Sequence, residues 1–112
     1  MHVTRFADAR PYAAPGHVDV HSLRLQGMEA SPAFATMGLS YYLPGSKAAM
    51  SAGEAPKLYL MIEGELVVEA GGRREALRAL DSCLIEAGES REVRNETNRV
   101  ATMLVVMPPP AA

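Results

Sequence analysis

Leu58-Tyr59-Leu60-Met61-Ile62-Glu63-Gly64-Glu65-Leu66-Val67-Val68-Glu69, followed by Ala70-Gly71-Gly72, is the stretch whose reading decides the fold. It holds two apolar runs of strand length joined through Gly64, the second closing on a Gly-Gly hairpin turn. Neither run is long enough for a helix of ordinary length, and β-branched and aromatic residues are frequent in them. Two strands and a tight turn are therefore the local expectation.

Outward from this block the pattern repeats. Pro15-Gly16, Gly27, Ser31-Pro32, Pro44-Gly45, Gly53, Gly88 and Asn95 punctuate the chain at short intervals, as in an all-β sandwich or barrel. His17–Leu25 alternates moderately, and Leu39–Leu43 is expected to end at the Pro-Gly turn. Cys83–Ile85 and Val100–Met107 are nearly continuous apolar runs, expected as strands covered on both faces. Arg73–Leu80 has helix propensity, with Leu77 and Leu80 at helical spacing. The preceding Gly-Gly and following Asp81 favour a return strand with Glu75, Leu77 and Ala79 on one face. The tail from Pro108 to Ala112 cannot pair in a sheet.

The 112 residues suit one domain, with 48% hydrophobic and 21% charged residues. Lys and Arg number 11 against 13 Asp and Glu, a balance that argues against nucleic acid as partner. One cysteine, Cys83, excludes an intrachain disulfide and a cysteine-rich zinc site. No segment reads as a signal-peptide core or a membrane span, so a cytoplasmic location with no membrane partner is the expectation.

The order of turns and strands from Pro44 to Met107 resembles the conserved barrel of the cupin superfamily. Pro44-Gly45 matches the opening of the family's first motif, and Tyr59 to Leu66 matches its closing. In the second motif Leu80-Asp81 stands at the Gly-Asp, Glu86 at the Pro, Gly88 at the Gly, Arg91 at the His and Asn95 at the Asn. The resemblance implies a single all-β jelly-roll β-barrel. Residues 1–36 would supply an extra strand or arm of the same domain, 37–107 the conserved barrel, and 108–112 an extended tail.

The resemblance also locates the metal-binding positions of metallocupins, and here they carry other residues. The two histidines fall at Ser51 and Gly53, the glutamate at Lys57 and the second-motif histidine at Arg91. Lys and Arg side chains donate hydrogen bonds and offer a cation no lone pair. No metal and no other cofactor is expected.

If the glutamate position faces the barrel interior, as the family implies, alternation puts Lys57, Tyr59, Met61 and Glu63 inward, with Arg91 and Val93 opposite. Two cations in an apolar cavity need an anionic companion. Either Glu54, Glu63 or Glu86 neutralises them, or a carboxylate or phosphate ligand does. The expected function is metal-free binding of a small anionic metabolite by Ser51, Lys57, Tyr59, Met61 and Arg91. Two alternatives stand beside it. One is a metal-independent lyase or isomerase of a keto or hydroxy acid, with Lys57 as candidate catalytic base or nucleophile and Arg91 as carboxylate clamp. The other is an accessory or sensor subunit with an idle pocket.

Other residues read more plainly. His17 and His21 share a strand face and are expected at the surface or rim. Cys83 reads as a small core residue, and Asn95 as turn chemistry. The spacing of Ser51 and Glu54 fits a capping box, with Glu54 steadying a turn or helix start. Tyr41-Tyr42 puts one ring on each sheet face. Val3, Phe6, Val18, Val20, Leu23 and Leu25 make an apolar N-terminal segment suited to pairing two copies, so a homodimer is expected.

Overall fold

The computed structural model describes residues 1–110, and the last two positions of the expected tail, Ala111 and Ala112, lie outside them. Nine strands make up the described residues apart from loops and one short 3-10 turn, Phe6–Asp8. They are β1 (Arg10–Tyr12), β2 (His17–Gln26), β3 (Thr36–Ala52), β4 (Lys57–Glu63), β5 (Leu66–Ala70), β6 (Arg73–Leu77), β7 (Ser82–Ile85), β8 (Ser90–Arg94) and β9 (Ala101–Met107).

The hydrogen-bonded order is β6-β5-β8-β3-β9-β4-β7, with β2 along the opposite edge of β3 from β8 and β9, and β1 outside β2. All pairs are antiparallel. This is a nearly closed jelly-roll barrel, as the sequence predicts. The stretch Leu58–Glu69 forms β4 and β5, and Gly71-Gly72 turns β5 back into β6. Gly64 has φ +81°, and a Cβ there would lie 2.8 Å from the Ala101 Cα, so the chain passes from β4 to β5 only with glycine.

Several local expectations are corrected. Pro44-Gly45 does not end a strand: β3 runs 17 residues through it. Its first half pairs with β9 and its second half with β8, so one long strand joins both to the same sheet. Asn95 braces β3 around Pro44-Gly45, where its partner changes. Its buried Nδ2 donates to the carbonyls of Tyr42 (2.8 Å) and Arg99 (2.7 Å). Its Oδ1 accepts from the Thr97 amide (2.9 Å) and hydroxyl (2.8 Å). Turn chemistry is thus its role.

β6 stops at Leu77, which is buried, while Glu75 and Ala79 are exposed. The Asp81 carboxylate accepts from the Arg78 amide at 2.9 Å and closes a turn there. β7 is an edge strand rather than one covered on both faces, with Leu84 half exposed. No helix begins at Ser51, and Glu54 is an exposed loop residue. Val3, Phe6 and Val18 are exposed, and β1 folds back on β2 of its own chain. No helix among the described residues is long and apolar enough to cross a membrane.

The core is Tyr42, Ala48, Tyr59, Met61, Leu66, Val68, Leu77, Ile85, Val93, Ala101 and Met103, drawn from every strand from β3 to β9. Cys83 is only partly buried against it.

Candidate functional site

A cavity of about 450 Å³ opens between the N-terminal segment and the inner faces of β2, β3, β4, β8 and β9. Alternation along β4 turns Lys57, Tyr59 and Met61 inward, as expected. Glu63 breaks the pattern. The β4–β9 register slips between Met61 and Glu63, and Glu63 is exposed. It therefore neutralises nothing in the interior.

Lys57, Tyr59 and Arg91 line the cavity, with Ser51 at its rim, so four of the five residues singled out in the sequence share one wall. Met61 does not join them. It is fully buried in the core.

Arg91 is 6% exposed and tied to the scaffold by three bonds. Its Nε donates to the Tyr59 hydroxyl (2.8 Å), and one Nη donates to the Ala49 carbonyl (2.9 Å) and to Ser51 Oγ (3.3 Å). All three acceptors are neutral. Burial raises the Tyr59 phenol's pKa above its ordinary value, outweighing the pull of Arg91 in the other direction.

Lys57 is 9% exposed, and its Nζ lies 3.0 Å from where a Gly53 Cβ would be. Burial lowers its pKa, and the Arg91 charge lowers it further. Among the described residues neither cation forms a salt bridge. The expected pairing of Lys57 with Glu54 or Glu86 is therefore not formed, and both carboxylates are exposed. Four other arginines are matched: Arg73, Arg74, Arg78 and Arg94 pair with Glu75, Glu69, Glu96, Glu65 and Glu92. No Asp or Glu lines the cavity among the described residues.

The other wall was not singled out from the sequence. His17 lines the cavity while His21 is exposed, because a bulge at Asp19 (φ +56°) switches the inward set of β2 to Ser22 and Arg24. Ser22 and Ser40 share a buried hydroxyl–hydroxyl bond of 2.8 Å. Arg24 lies 4.0 Å from the centre of the Tyr12 ring, a cation–π contact carried by β1. Tyr42 is the inward member of the tyrosine pair, with Tyr41 half-buried. Ser22 and Arg24 were findable, since they alternate with Leu23. Tyr12 carried no signal.

The donor set does not fit a divalent cation. The positions at issue hold Lys57, Arg91, Gly53 and a serine hydroxyl, and the wall adds one imidazole. No three His, Cys, Asp or Glu come together to hold a metal ion among the described residues. What the arrangement can do is bind negative charge and hydrogen-bond to neutral groups beside it.

Comparison with known proteins places the chain. The family model of the cupin domain matches residues 38–107. A beta-D-galactosidase of Mycobacterium tuberculosis is 39% identical over 113 residues, spanning 100% of this chain and 97% of that protein. The solved structure of a predicted oxalate decarboxylase from Thermotoga maritima superposes with TM-score 0.81 at 24% identity, over 98% of this chain and 100% of that one. The polyketide cyclase RemF from Streptomyces resistomycificus superposes with TM-score 0.86 at 17% identity, over 98% and 80%. At these identities the two structures establish a shared fold. Residues 10–17, which carry Tyr12 and His17, lie outside the matched cupin segment.

Proposed function

The chain belongs to the cupin domain family, and from that premise we propose that it binds a small anionic metabolite without a metal. One observation carries the reading: Lys57 and Arg91 are both covered, line one cavity, and have no carboxylate partner. Covering unmatched charge is costly, and an anion drawn to both offsets that cost. Arg91 offers its unengaged guanidinium nitrogen to a carboxylate or phosphate, and Lys57 adds a point charge.

The test is thermal stability of chelator-treated protein with inorganic phosphate, acetate, pyruvate or lactate, and separately with manganese or zinc. A ligand at about a hundred times its Kd adds roughly 2.7 kcal/mol of stability, a shift on the order of 10 °C for a domain this size. Stabilisation by anions, lost in Lys57→Met and Arg91→Met, supports the proposal. Stabilisation by the metals alone overturns it.

A second reading comes from the galactosidase of Mycobacterium tuberculosis: a galactoside as ligand or substrate. Glycoside hydrolysis ordinarily runs on two carboxyl groups flanking the bond. The cavity lining has none. A chromogenic β-galactoside in the same series decides the matter. Turnover abolished by Lys57→Met or Arg91→Met puts glycoside chemistry in this cavity, and no turnover leaves the anion reading alone.

A further inference from the structure

The anion reading accounts for the Lys57–Arg91 wall and leaves His17 without a role. Its Nδ1 lies 2.9 Å from the Pro15 carbonyl oxygen. A carbonyl can only accept, so Nδ1 carries the proton and donates it there. The bond fixes the tautomer and leaves Nε2 as the ring's acceptor. Burial holds the imidazole below its ordinary pKa despite the Pro15 bond, and the nearby Arg91 and Lys57 charges lower it further. The ring is therefore neutral at pH 7, and its lone pair is available.

This creates an asymmetry on the cavity wall. Lys57 and Arg91 only donate, whereas His17 in this tautomer accepts through Nε2. The Ser22 and Ser40 hydroxyls engage each other. A simple carboxylate satisfies the cations and leaves Nε2 with nothing. A ligand that also carries a hydroxyl next to its acid group satisfies both sides.

We propose that the ligand of the cavity is a hydroxy acid, its carboxylate held by Arg91 and Lys57 and its neighbouring hydroxyl donating to His17 Nε2. The inference rests on the anion reading and narrows it to one chemical class. A site built to pair a ligand hydroxyl rejects the analogue lacking it, because the acceptor, covered once the ligand is seated, is then left without a partner.

The test is calorimetric titration with matched acids: lactate against propionate, and glycolate against acetate. The hydroxylated member of each pair is expected to bind at least tenfold more tightly. His17→Phe, which has no acceptor, brings the ratio close to one, and His17→Gln, whose amide oxygen accepts, restores part of it. Circular dichroism verifies that both variants fold. Equal affinities in the native protein, or a preference that survives His17→Phe, overturn the hydroxy-acid assignment while the anion reading stands. No binding of any acid overturns the anion reading itself.

Discussion

Arg91 Nε donates to the Tyr59 hydroxyl at 2.8 Å, and this pairs a buried cation with a neutral phenol. The phenol stays protonated because burial opposes its ionisation. Arg91 is thus hydrogen-bonded without being neutralised. Arg91→Met strands the Tyr59 hydroxyl and the Ala49 carbonyl and is expected to cost about 1–3 kcal/mol in denaturant unfolding. An unchanged midpoint overturns the view that these bonds hold the wall in place.

Lys57 behaves oppositely, because it has no bonded partner to strand. Lys57→Met keeps the stem's volume and removes a covered charge, so the ligand-free protein gains on the order of 1 kcal/mol. Loss of stability points to a structural role for the ammonium.

Acid acts on His17. Its folded pKa lies below the ordinary 6.5 because burial, Arg91 and Lys57 disfavour the cation. The unfolded chain therefore binds more protons in the window just below 6.5, and stability falls as pH drops through it. His17→Gln is expected to flatten that part of the stability–pH curve. A slope identical in the two proteins disproves the linkage.

Tyr12 rests on Gly38. A Cβ at position 38 would lie 2.2 Å from the Tyr12 hydroxyl oxygen, so Gly38→Ala expels the ring that stacks on Arg24. The change is expected to destabilise by roughly 1–2 kcal/mol, a typical overpacking cost. In a Tyr12→Ala background Gly38→Ala is nearly neutral. Additive effects in the double variant mean the two positions are uncoupled.

Leu80 adopts φ +70°, a conformation that disfavours any residue with a Cβ, and its side chain is 77% exposed. Leu80→Gly relieves the strain and abandons almost no packing. The left-handed cost of roughly 1–2 kcal/mol exceeds glycine's extra unfolded entropy of roughly 0.5–1 kcal/mol, so a small rise in melting temperature is expected. A fall shows that the side chain contributes contacts of its own.

Position 80 also shows how the sequence was legible. The cupin resemblance put a glycine's role there, and the structure keeps the backbone that role requires with leucine in it. The barrel was readable because Gly64, Gly71-Gly72 and Asn95 each mark a backbone event that few residues permit. Lys57 and Tyr59 followed from alternation on a regular strand. His17 did not, because the bulge at Asp19 shifts the period by one and no residue type announces it. Tyr12 reaches the cavity through pairing of β1 with β2, a contact that local pattern cannot reveal. Glu63 was misplaced for the same reason as His17, a register slip at the end of a strand.

The shared strand β3 has a consequence for how the chain becomes a barrel. Its partners on β8 and β9 are far away in sequence, from 38 residues for Ala52 with Ser90 to 71 for Thr36 with Met107. β3 therefore emerges from the ribosome long before β8 and β9 exist to complete it. Until they arrive, only β2 can zip onto it, and its inner face of Tyr42 and Ala48 stays wet. Non-local pairings of this kind make for slow, late-committing acquisition of structure. The cavity, whose walls come from β2, β3, β4, β8 and β9, is accordingly among the last features to form during synthesis.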